Sequence, residues 1–556
     1  MSEYNLIDEP WLPVIDAKGQ SKRVPLREAM MHARDYKAVD GETELQAVAL
    51  LRMLLALSIT ILYRYDENGN ESVLTDGKMA LKRWENIYRA GAFPSRALEH
   101  YLDKWHDRFW LFDDKYPFYQ VALGRDAKKV GDDVRARRIK GDPDVRDELK
   151  KLDDYDECFT YSEIKGRYFN GTILESDNKC NASASRNEDW KDRLTLPEAA
   201  GWLIFQMAYA DCGSVGKKKF RGKCIGKASL PPSTEGCLIY AHGDNLFEIL
   251  MLNACLVKDP SGNLELYEKP CPAWEQDREL LVRNVVCVPD NIPALFTLQT
   301  RRFILNREEN NPQYIDKVYG AMGDYFEVDA KSVGHYLEPM FVLAPNKENE
   351  VVPKHFRLDT VYWQNCAYLV ASKDEKRRAP AVVLWATWAL KRGLATFHMT
   401  DVSYITTMKS KVETMYSGFT QVSVEACHDC DLAYAICAEI NFINDYAKSL
   451  YGYGANLAKA VGANKAIEIL RGKLLQKEYL DMISDDFRRY LDGQMDKARE
   501  KLIRMEYEHA RKVMEAAFDR MPLDAVMGHS KMTMGEAYKE CYFELLKLKK
   551  KGEDRI

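Results

Sequence analysis

The chain has 556 residues, more than one hydrophobic core usually supports, and its 46% hydrophobic and 30% charged residues are typical of a soluble globular protein. Its 80 lysines and arginines are outnumbered by 85 aspartates and glutamates, so the net charge of -5 excludes a globally basic nucleic-acid-binding protein, and any basic surface must be local. The 13 cysteines show no repeating spacing and the N-terminal residues show no signal-peptide pattern, which favours a cytoplasmic location. The apolar stretches are interrupted, as at Arg52, and predict no membrane span.

The N-terminal part of the chain predicts a mixed arrangement of strands and helices. Between Asn5 and Val14, Pro10 and Pro13 forbid a helix interior and favour an extended path. The run that begins at Thr43 is apolar nearly all round, which predicts a long and central helix. Further along, the region 246–256 predicts a helix with Asp244 or Asn245 as its N-cap, and 291–306 predicts a strand that places Arg301 and Arg302 on opposite faces.

A basic, glycine-rich stretch follows a predicted buried helix at 196–210, whose N-terminus carries Thr195 as N-cap and Glu198 as the second member of a capping box. Glycines permit close backbone approach, and six cations fall within eleven residues of the stretch 211–229. We interpret it as a surface loop that contacts a polyanion. The candidate loop residues are Gly213, Ser214, Val215, Gly216, Lys217, Lys218, Lys219 and Arg221.

The stretch has two alternative interpretations, a phosphate-binding P-loop and a solvated linker. A phosphate-binding P-loop needs four residues between its first glycine and the Gly-Lys pair, whereas two separate Gly213 from Gly216, and Lys218 follows Lys217 where another residue type is required. The nucleotide site is therefore rejected. A solvated linker stays open, because charge runs are most often solvent-exposed faces.

The remaining regions define the expected domain organisation. The segment 124–157 is rich in aspartate, lysine and arginine and predicts an exposed insertion, and 168–189 predicts a long polar loop. From about residue 412, helical periodicity predicts four amphipathic helices at 424–451, 474–491, 495–520 and 534–549. The predicted fold is α+β, with a large mixed N-terminal domain (1–411) followed by a C-terminal four-helix bundle (412–556).

Motifs for catalysis or metal binding are missing from the sequence. Cys427 and Cys430 form one C-x-x-C without a second pair, so they are interpreted with Cys437 as small core residues of a helix. The sequence contains no H-E-x-x-H, G-x-S-x-G or Walker A motif. We expect a binding protein without catalytic residues, metal or cofactor.

Several motifs in order resemble one family. They are N-L-I-D-E-P-W-L-P-V from Asn5, Y-P-F-Y-Q at 116–120, the glycine loop, G-D-N-L-F-E-I-L-M-L-N at 243–253, P-A-W-E at 272–275 and L-F-T-L-Q-T-R-R-F-I-L at 295–305. Together they resemble the CasA family, the large subunit of the type I-E CRISPR surveillance complex Cascade.

The resemblance implies roles for particular residues. It implies that the loop at 168–189 anchors the guide RNA, with Ile173 or Leu174 as its apolar anchor, and that the glycine loop reads the protospacer-adjacent motif. A minor-groove strand would carry Tyr325 where the family has lysine. A wedge hairpin at 401–411 would open the duplex, and its candidate residues are Tyr404, Ile405, Thr406 and Thr407, where the family has glutamine.

The implied function is a non-catalytic subunit that recognises the motif in duplex DNA, starts unwinding for R-loop formation and helps to recruit a separate helicase-nuclease. The implied partners are crRNA, double-stranded target DNA, the backbone, 5′-handle-binding and small helical subunits, and the CRISPR helicase-nuclease, with no membrane. The bundle would contact the unwound DNA and the small helical subunit. Two alternatives remain: a purely structural scaffold for crRNA and subunits, and a nuclease hidden in the insertion at 124–157.

Overall fold

The computed structural model describes two compact units of the chain. Its described residues are 3–120, 157–159, 162–164, 169, 192–209, 218–220, 223–225, 231–276, 289–322, 337–346, 348–355, 364, 367, 369–370, 379–394, 399–407, 415–423, 429–492, 495–521 and 530–555. The first unit comprises Met1–Phe356, Pro380–Phe397 and Asp401–Phe419. The second unit comprises Arg357–Ala379, His398–Thr400 and Thr420–Ile556.

The regular elements are numbered along the described residues. The α-helices are α1 Leu26–Met31, α2 Glu44–Arg64, α3 Gly77–Ala90, α4 Ser95–Trp105, α5 Leu196–Tyr209, α6 Leu246–Asn253, α7 Ile292–Phe296, α8 Ala381–Lys391, α9 Cys430–Ala460, α10 Lys465–Asp492, α11 Met495–Asp519 and α12 Ser530–Glu553. The strands are β1 Glu3–Asn5, β2 Leu12–Asp16, β3 Ser21–Val24, β4 Tyr36–Val39, β5 Trp110–Phe112, β6 Glu157–Phe159, β7 Ser162–Ile164, β8 Leu194–Thr195, β9 Lys218–Phe220, β10 Lys223–Ile225, β11 Leu238–Ala241, β12 Arg301–Glu308, β13 Asn311–Met322, β14 Leu343–Pro345, β15 Val351–Pro353, β16 Met399–Thr407 and β17 Met415–Ser423.

The first unit contains several small antiparallel sheets. Strands β12 and β13 form a hairpin, and β7 and β8 pair with the other edge of β13. The N-terminal sheet has the order β3-β2-β4, and β1 pairs with β5. A mixture of short sheets with long helices is the α+β class predicted from the sequence, which is thereby confirmed.

Helix α2 forms the centre of the first unit. Its N-cap Thr43 accepts a hydrogen bond of 3.2 Å from the backbone amide of Gln46, and almost every residue from Leu45 to Leu62 is buried. By length and composition α2 could cross a membrane, but 94% of its most apolar window is buried inside the protein. The hydrophobicity of α2 is therefore explained by its burial in the core of the first unit.

Two polar residues of the motifs that resemble the CasA family connect separate elements of the first unit by hydrogen bonds. Asn253, at the end of α6, exchanges two hydrogen bonds of 2.8 Å with the backbone of Ala241 on β11. Gln120 donates to the carbonyl oxygen of Leu111 (2.6 Å) and accepts from the amide of Leu305 on β12 (2.9 Å). These side chains satisfy buried backbone groups, so their motifs serve the fold.

Glu275 of the P-A-W-E motif also connects separate elements, through hydrogen bonds to the side chains of Arg64 and Tyr101. Its carboxylate accepts two hydrogen bonds, of 2.6 and 2.7 Å, from Arg64 at the end of α2. Tyr101 also donates to this carboxylate, and Trp274 donates to the Tyr101 hydroxyl at 2.8 Å. The network fixes the C-terminal end of α2 against α4.

The second unit contains the predicted four-helix bundle. Helix α9 packs against α10 and α12, and α11 packs against the same two helices. The apolar stripes of the four helices meet in a core that includes Ile440, Tyr479, Leu502 and Leu545. The bundle is confirmed, with α9 and α10 longer than the periodicity suggested.

Two sequence predictions for secondary structure need correction. The strand predicted at 291–306 is wrong in its first half, because Asn291 caps the helix α7 by accepting from the amide of Ala294 at 2.9 Å. The first bundle helix begins later than the predicted residue 424, because Asp429 caps it by accepting from the amides of Asp431 and Leu432. The N-cap predicted for α6 is confirmed at Asn245, which accepts from the amide of Glu248 at 3.0 Å.

Candidate nucleic-acid interface

Part of the predicted cationic loop is a β-hairpin. Strands β9 and β10 run antiparallel, with Phe220 opposite Lys223 and Lys218 opposite Ile225, so only Arg221 and Gly222 connect them. We call residues 218–225 the basic hairpin. The loop prediction is therefore wrong for Lys218 and Lys219, which belong to a strand. Lysine and glycine are depleted in strands, so the composition of this stretch does not predict a hairpin. Phe220, Cys224 and Ile225 are the residues of its strands that could have indicated one.

The other candidate residues of the predicted loop, Gly213, Ser214, Val215, Gly216, Lys217 and Arg221, lie outside the described residues. Residues 213–217 precede the basic hairpin in sequence, with Lys217 directly before β9, and Arg221 lies in the connection between β9 and β10. Within a strand, successive residues rise by about 3.3 Å along the backbone, a regular spacing that a free loop lacks. The structure thus places three of the six cations of the predicted basic stretch, Lys218, Lys219 and Lys223, in paired strands.

A third strand joins the basic hairpin from the predicted insertion. Strand β6 pairs antiparallel with β9, placing Phe159 opposite Lys218 and Glu157 opposite Phe220. The rest of the insertion, up to residue 156, lies outside the described residues. The C-terminal end of the insertion is therefore attached to the same sheet as the basic hairpin.

Helix α5 delivers the chain to the glycine-rich stretch. At its N-terminal end, the backbone amide of Thr195 donates to Glu198 at 2.8 Å, which is half of the predicted capping box. The reciprocal half is missing, since the Thr195 hydroxyl has no hydrogen-bond partner in the described part of the chain. Trp202 donates to Glu42 at 3.1 Å, and the helix is otherwise buried by apolar contacts.

The C-terminal end of α5 is held by two hydroxyl groups. The last carbonyl groups of a helix lack partners within the helix. Here the Thr300 hydroxyl donates to the carbonyl oxygen of Met207 at 2.8 Å, and the Ser233 hydroxyl donates to that of Ala208. The point at which the chain leaves α5 for the glycine-rich stretch is thereby fixed.

The predicted wedge residues lie within a strand. Strand β16 is the central strand of the sheet β11-β16-β17, and Tyr404 and Ile405 pair with Ile239 and Leu238 on β11. Thr406 and Thr407 end β16, so the four residues precede the connection to β17, which lies outside the described residues at 408–414. β-Branched side chains favour extended backbone, which explains why the strand continues through the predicted tip.

The remaining site candidates lie a few positions beyond the ends of described segments. Tyr325, Ile173 and Leu174 lie outside the described residues. Strand β13 ends at Met322, three positions before Tyr325. Phe169 lies four positions before Ile173 and is fully buried.

Two arginines at the start of β12 are buried. Arg301 is 1% exposed and Arg302 is 5% exposed, and Arg301 donates to the carbonyl oxygen of Thr300 at 2.8 Å. Neither guanidinium is available to a phosphate in this structure.

Among the described residues, no group of three or more His, Cys, Asp and Glu side chains is placed to hold a metal ion. Cys430 and Cys437 are half-buried in α9, and Asp429 of the C-x-x-C motif is the N-cap of that helix. Cys427 lies outside the described residues.

Comparison with known proteins decides the family. The model of the family described as CRISPR-associated protein Cse1 matches residues 5–525, nearly the whole chain. The chain belongs to the Cse1 family. This membership confirms the CasA resemblance recognised from the sequence motifs.

Individual Cse1 proteins are only distantly similar in sequence. CasA/Cse1 of Thermus thermophilus is 25% identical over 270 residues, which cover 49% of this chain and 43% of the length of that relative. The crystal structure of Cse1 from Acidimicrobium ferrooxidans has a TM-score of 0.72 at 17% identity, covering 99% of both chains. A chain of a CRISPR RNA-guided surveillance complex has a TM-score of 0.62 at 13% identity, covering 98% of this chain and all of that one. Both solved structures therefore share the fold over its full length.

Proposed function

We propose that this chain is the large subunit of a CRISPR RNA-guided surveillance complex, in which it recognises a short motif in duplex DNA and starts strand separation. Membership of the Cse1 family and the full-length fold similarity to a chain of a surveillance complex support the assembly. The partners in this proposal are crRNA, target DNA, the other subunits and a separate helicase-nuclease, all in the cytoplasm. The chain itself binds and positions nucleic acid, and the helicase-nuclease cuts it.

The observation that carries the DNA-binding part is the basic hairpin, which begins nine residues after the last residue of α5. Lys217, Lys218, Lys219, Arg221 and Lys223 follow one another within seven residues of the chain, and three of them lie in paired strands. Phosphate groups of duplex DNA attract such clustered cations and release counterions on contact. Backbone contact of this kind positions a protein on DNA, while neighbouring glycines allow its main chain to approach the base edges.

Minor-groove recognition suits a motif reader of this composition. The minor groove offers a degenerate hydrogen-bond pattern, so a loop reading shape and backbone positions tolerates several related motifs. Sequence discrimination along the rest of the target is left to pairing with the guide RNA. Since strand exchange is nearly balanced in free energy, a hairpin that opens the first base pair decides whether pairing begins.

The test is the salt dependence of target binding by the reconstituted complex. Replacing Lys217, Lys218 and Lys219 by alanine removes three cations, so we expect the slope of log affinity against log salt concentration to flatten by up to about 3. Affinity should fall for duplexes with and without a motif alike, because phosphate contacts carry no sequence information.

The matched control removes three exposed lysines elsewhere in the first unit. Lys78→Ala, Lys82→Ala and Lys104→Ala change the net charge equally, and these side chains lie on α3 and α4. The control should leave the salt slope unchanged. Equal slopes for the two triple variants would contradict DNA binding by the basic hairpin and leave a structural scaffold as the function.

A further inference from the structure

Two buried carboxylates of the bundle face one guanidinium group. Glu439 of α9 and Glu506 of α11 are both fully buried. Arg555, which follows α12, donates to Glu506 at 2.8 Å through one terminal nitrogen and to Glu439 through the other. A guanidinium presents its N–H donors in a rigid planar fork, and here each terminal nitrogen binds a carboxylate of a different helix.

An aromatic ring covers the face of the same guanidinium. Phe442 lies one turn after Glu439 on α9, and the guanidinium carbon of Arg555 lies 3.5 Å from the centre of its ring. Guanidinium groups stack favourably on aromatic faces, whereas an ammonium group has neither a planar face nor a fork of donors. We call Glu439, Phe442 and Glu506 together the carboxylate cradle.

A second arginine balances only part of the charge of the carboxylate cradle. Arg499 of α11 donates to the other oxygen of Glu439, at 2.9 Å, and its side chain is more exposed than that of Arg555, 33% against 16%. With Arg555 bound, two guanidinium groups face two carboxylates. Without Arg555, Arg499 alone faces both, and a buried carboxylate without a counter-charge is costly. The carboxylate cradle therefore requires a second guanidinium group.

Arg555 reaches the carboxylate cradle from a short turn. Helix α12 ends at Glu553, and the backbone amide of Arg555 donates to the carbonyl oxygen of Gly552 at 3.0 Å. Gly552 is buried, and a Cβ atom there would lie 3.3 Å from Ile503 and 3.5 Å from the Arg555 guanidinium. A glycine thus lets the last turn of α12 approach α11 closely, and a single side chain beyond the helix fills the carboxylate cradle.

We propose that the carboxylate cradle is a guanidinium-binding site, which Arg555 occupies from within the chain and which accepts a free guanidinium ion when Arg555 is removed. Occupation of the site links the end of α12 to α9 and α11, so Arg555 acts as a latch on the bundle. The two carboxylates and the stacking ring select guanidinium over ammonium. This inference does not depend on the function proposed above.

Chemical rescue of the full chain tests the site. Arg555→Ala empties the carboxylate cradle, so we expect the unfolding temperature of the bundle to fall by at least about 5 °C. Guanidinium chloride is then added up to about 100 mM, well below the molar range in which it denatures proteins, with sodium chloride keeping the ionic strength constant. Binding to the folded state should raise the unfolding temperature of Arg555→Ala again, with a saturable concentration dependence. Ammonium chloride should not, and the wild-type protein should gain nothing from guanidinium.

Two variants serve as controls. Arg520→Ala removes the same charge from an exposed pair, in which Arg520 donates to Glu478 at 2.8 and 3.0 Å, and guanidinium should not stabilise it. The double variant Glu506→Gln/Arg555→Ala leaves one carboxylate for Arg499, so it should be more stable than Arg555→Ala and should no longer respond to guanidinium.

Three outcomes would overturn the proposal: no response of Arg555→Ala to guanidinium, an equal response to ammonium, or an equal response of either control variant. If Arg555→Ala does not fold in buffer alone, it is refolded in about 100 mM of either salt. Folding in guanidinium and not in ammonium supports the site, and folding in neither or in both contradicts it.

Discussion

At the scale of single residues, one buried ion pair holds the centre of the first unit. Arg52 of α2 donates to Glu338 at 2.7 Å, and their side chains are 3% and 0% exposed. The Arg52 guanidinium also lies 4.2 Å from the ring centre of Phe296. The sequence marks Arg52 only as an interruption in an apolar run, because its partner is 286 positions away.

Removal of one member of this pair should destabilise the first unit. Glu338→Gln leaves the Arg52 charge buried without a counter-charge, so we expect the free energy of unfolding to fall by about 3 kcal/mol. Thermal and denaturant unfolding measure the change. The control, Glu265→Gln, breaks the exposed pair with Lys258 and should cost less than about 1 kcal/mol. Equal losses for the two variants would show that Arg52 does not depend on Glu338.

At the scale of elements, the bundle contains a buried carboxylate network. Glu439 of α9 and Glu506 of α11 are both fully buried. Arg499 donates to Glu439 at 2.9 Å, while Arg555 donates to Glu506 at 2.8 Å and also to Glu439. The Arg555 guanidinium lies 3.5 Å from the ring centre of Phe442. The last described residue therefore joins two helices of the bundle.

This network should make the bundle sensitive to pH. Burial raises the pKa of Glu506 from 4.5 to about 8, opposed by Arg555 and Arg499 and reinforced by Glu439. The folded chain then keeps a proton that the unfolded chain loses above pH 4.5, so this stabilisation is complete below pH 4.5 and is lost as pH rises through 8. We expect the bundle to unfold at a lower temperature at pH 9 than at pH 6.

Glu506→Gln is the control for the pH dependence, since glutamine keeps the shape and does not titrate. The variant should lose up to about 2 kcal/mol of the change in unfolding free energy between pH 6 and pH 8. Calorimetry of both proteins across this range measures it. Parallel stability curves for the two proteins would show that Glu506 does not titrate there.

The elements differ in how far the sequence predicts them. Helices α2 and α5 and the bundle were predictable, because long apolar periodicities dominate the local signal. The basic hairpin was not, because its strands are three residues long and rich in lysine, and tertiary pairing with β6 overrides that composition. The four wedge candidates, Tyr404, Ile405, Thr406 and Thr407, belong to strand β16, because aromatic and β-branched side chains favour extended backbone.

At the scale of the whole molecule, family and fold agree although sequence identity is low. The Cse1 family model spans residues 5–525, and the Acidimicrobium ferrooxidans protein shares the fold at 17% identity. The motifs that carried the recognition serve mainly to satisfy buried backbone groups, as at Asn253 and Gln120. Those motifs identify the fold, and the function proposed for it must be tested on the assembled complex.

The most direct test measures motif discrimination by the surveillance complex with and without this chain. Guide-loaded complexes are titrated with duplexes that share one target sequence and differ only in the adjacent motif. We predict that the complete complex binds the favoured motif at least tenfold more tightly than a scrambled one, and that discrimination disappears when this chain is left out. Equal discrimination without the chain would contradict its role as the motif reader.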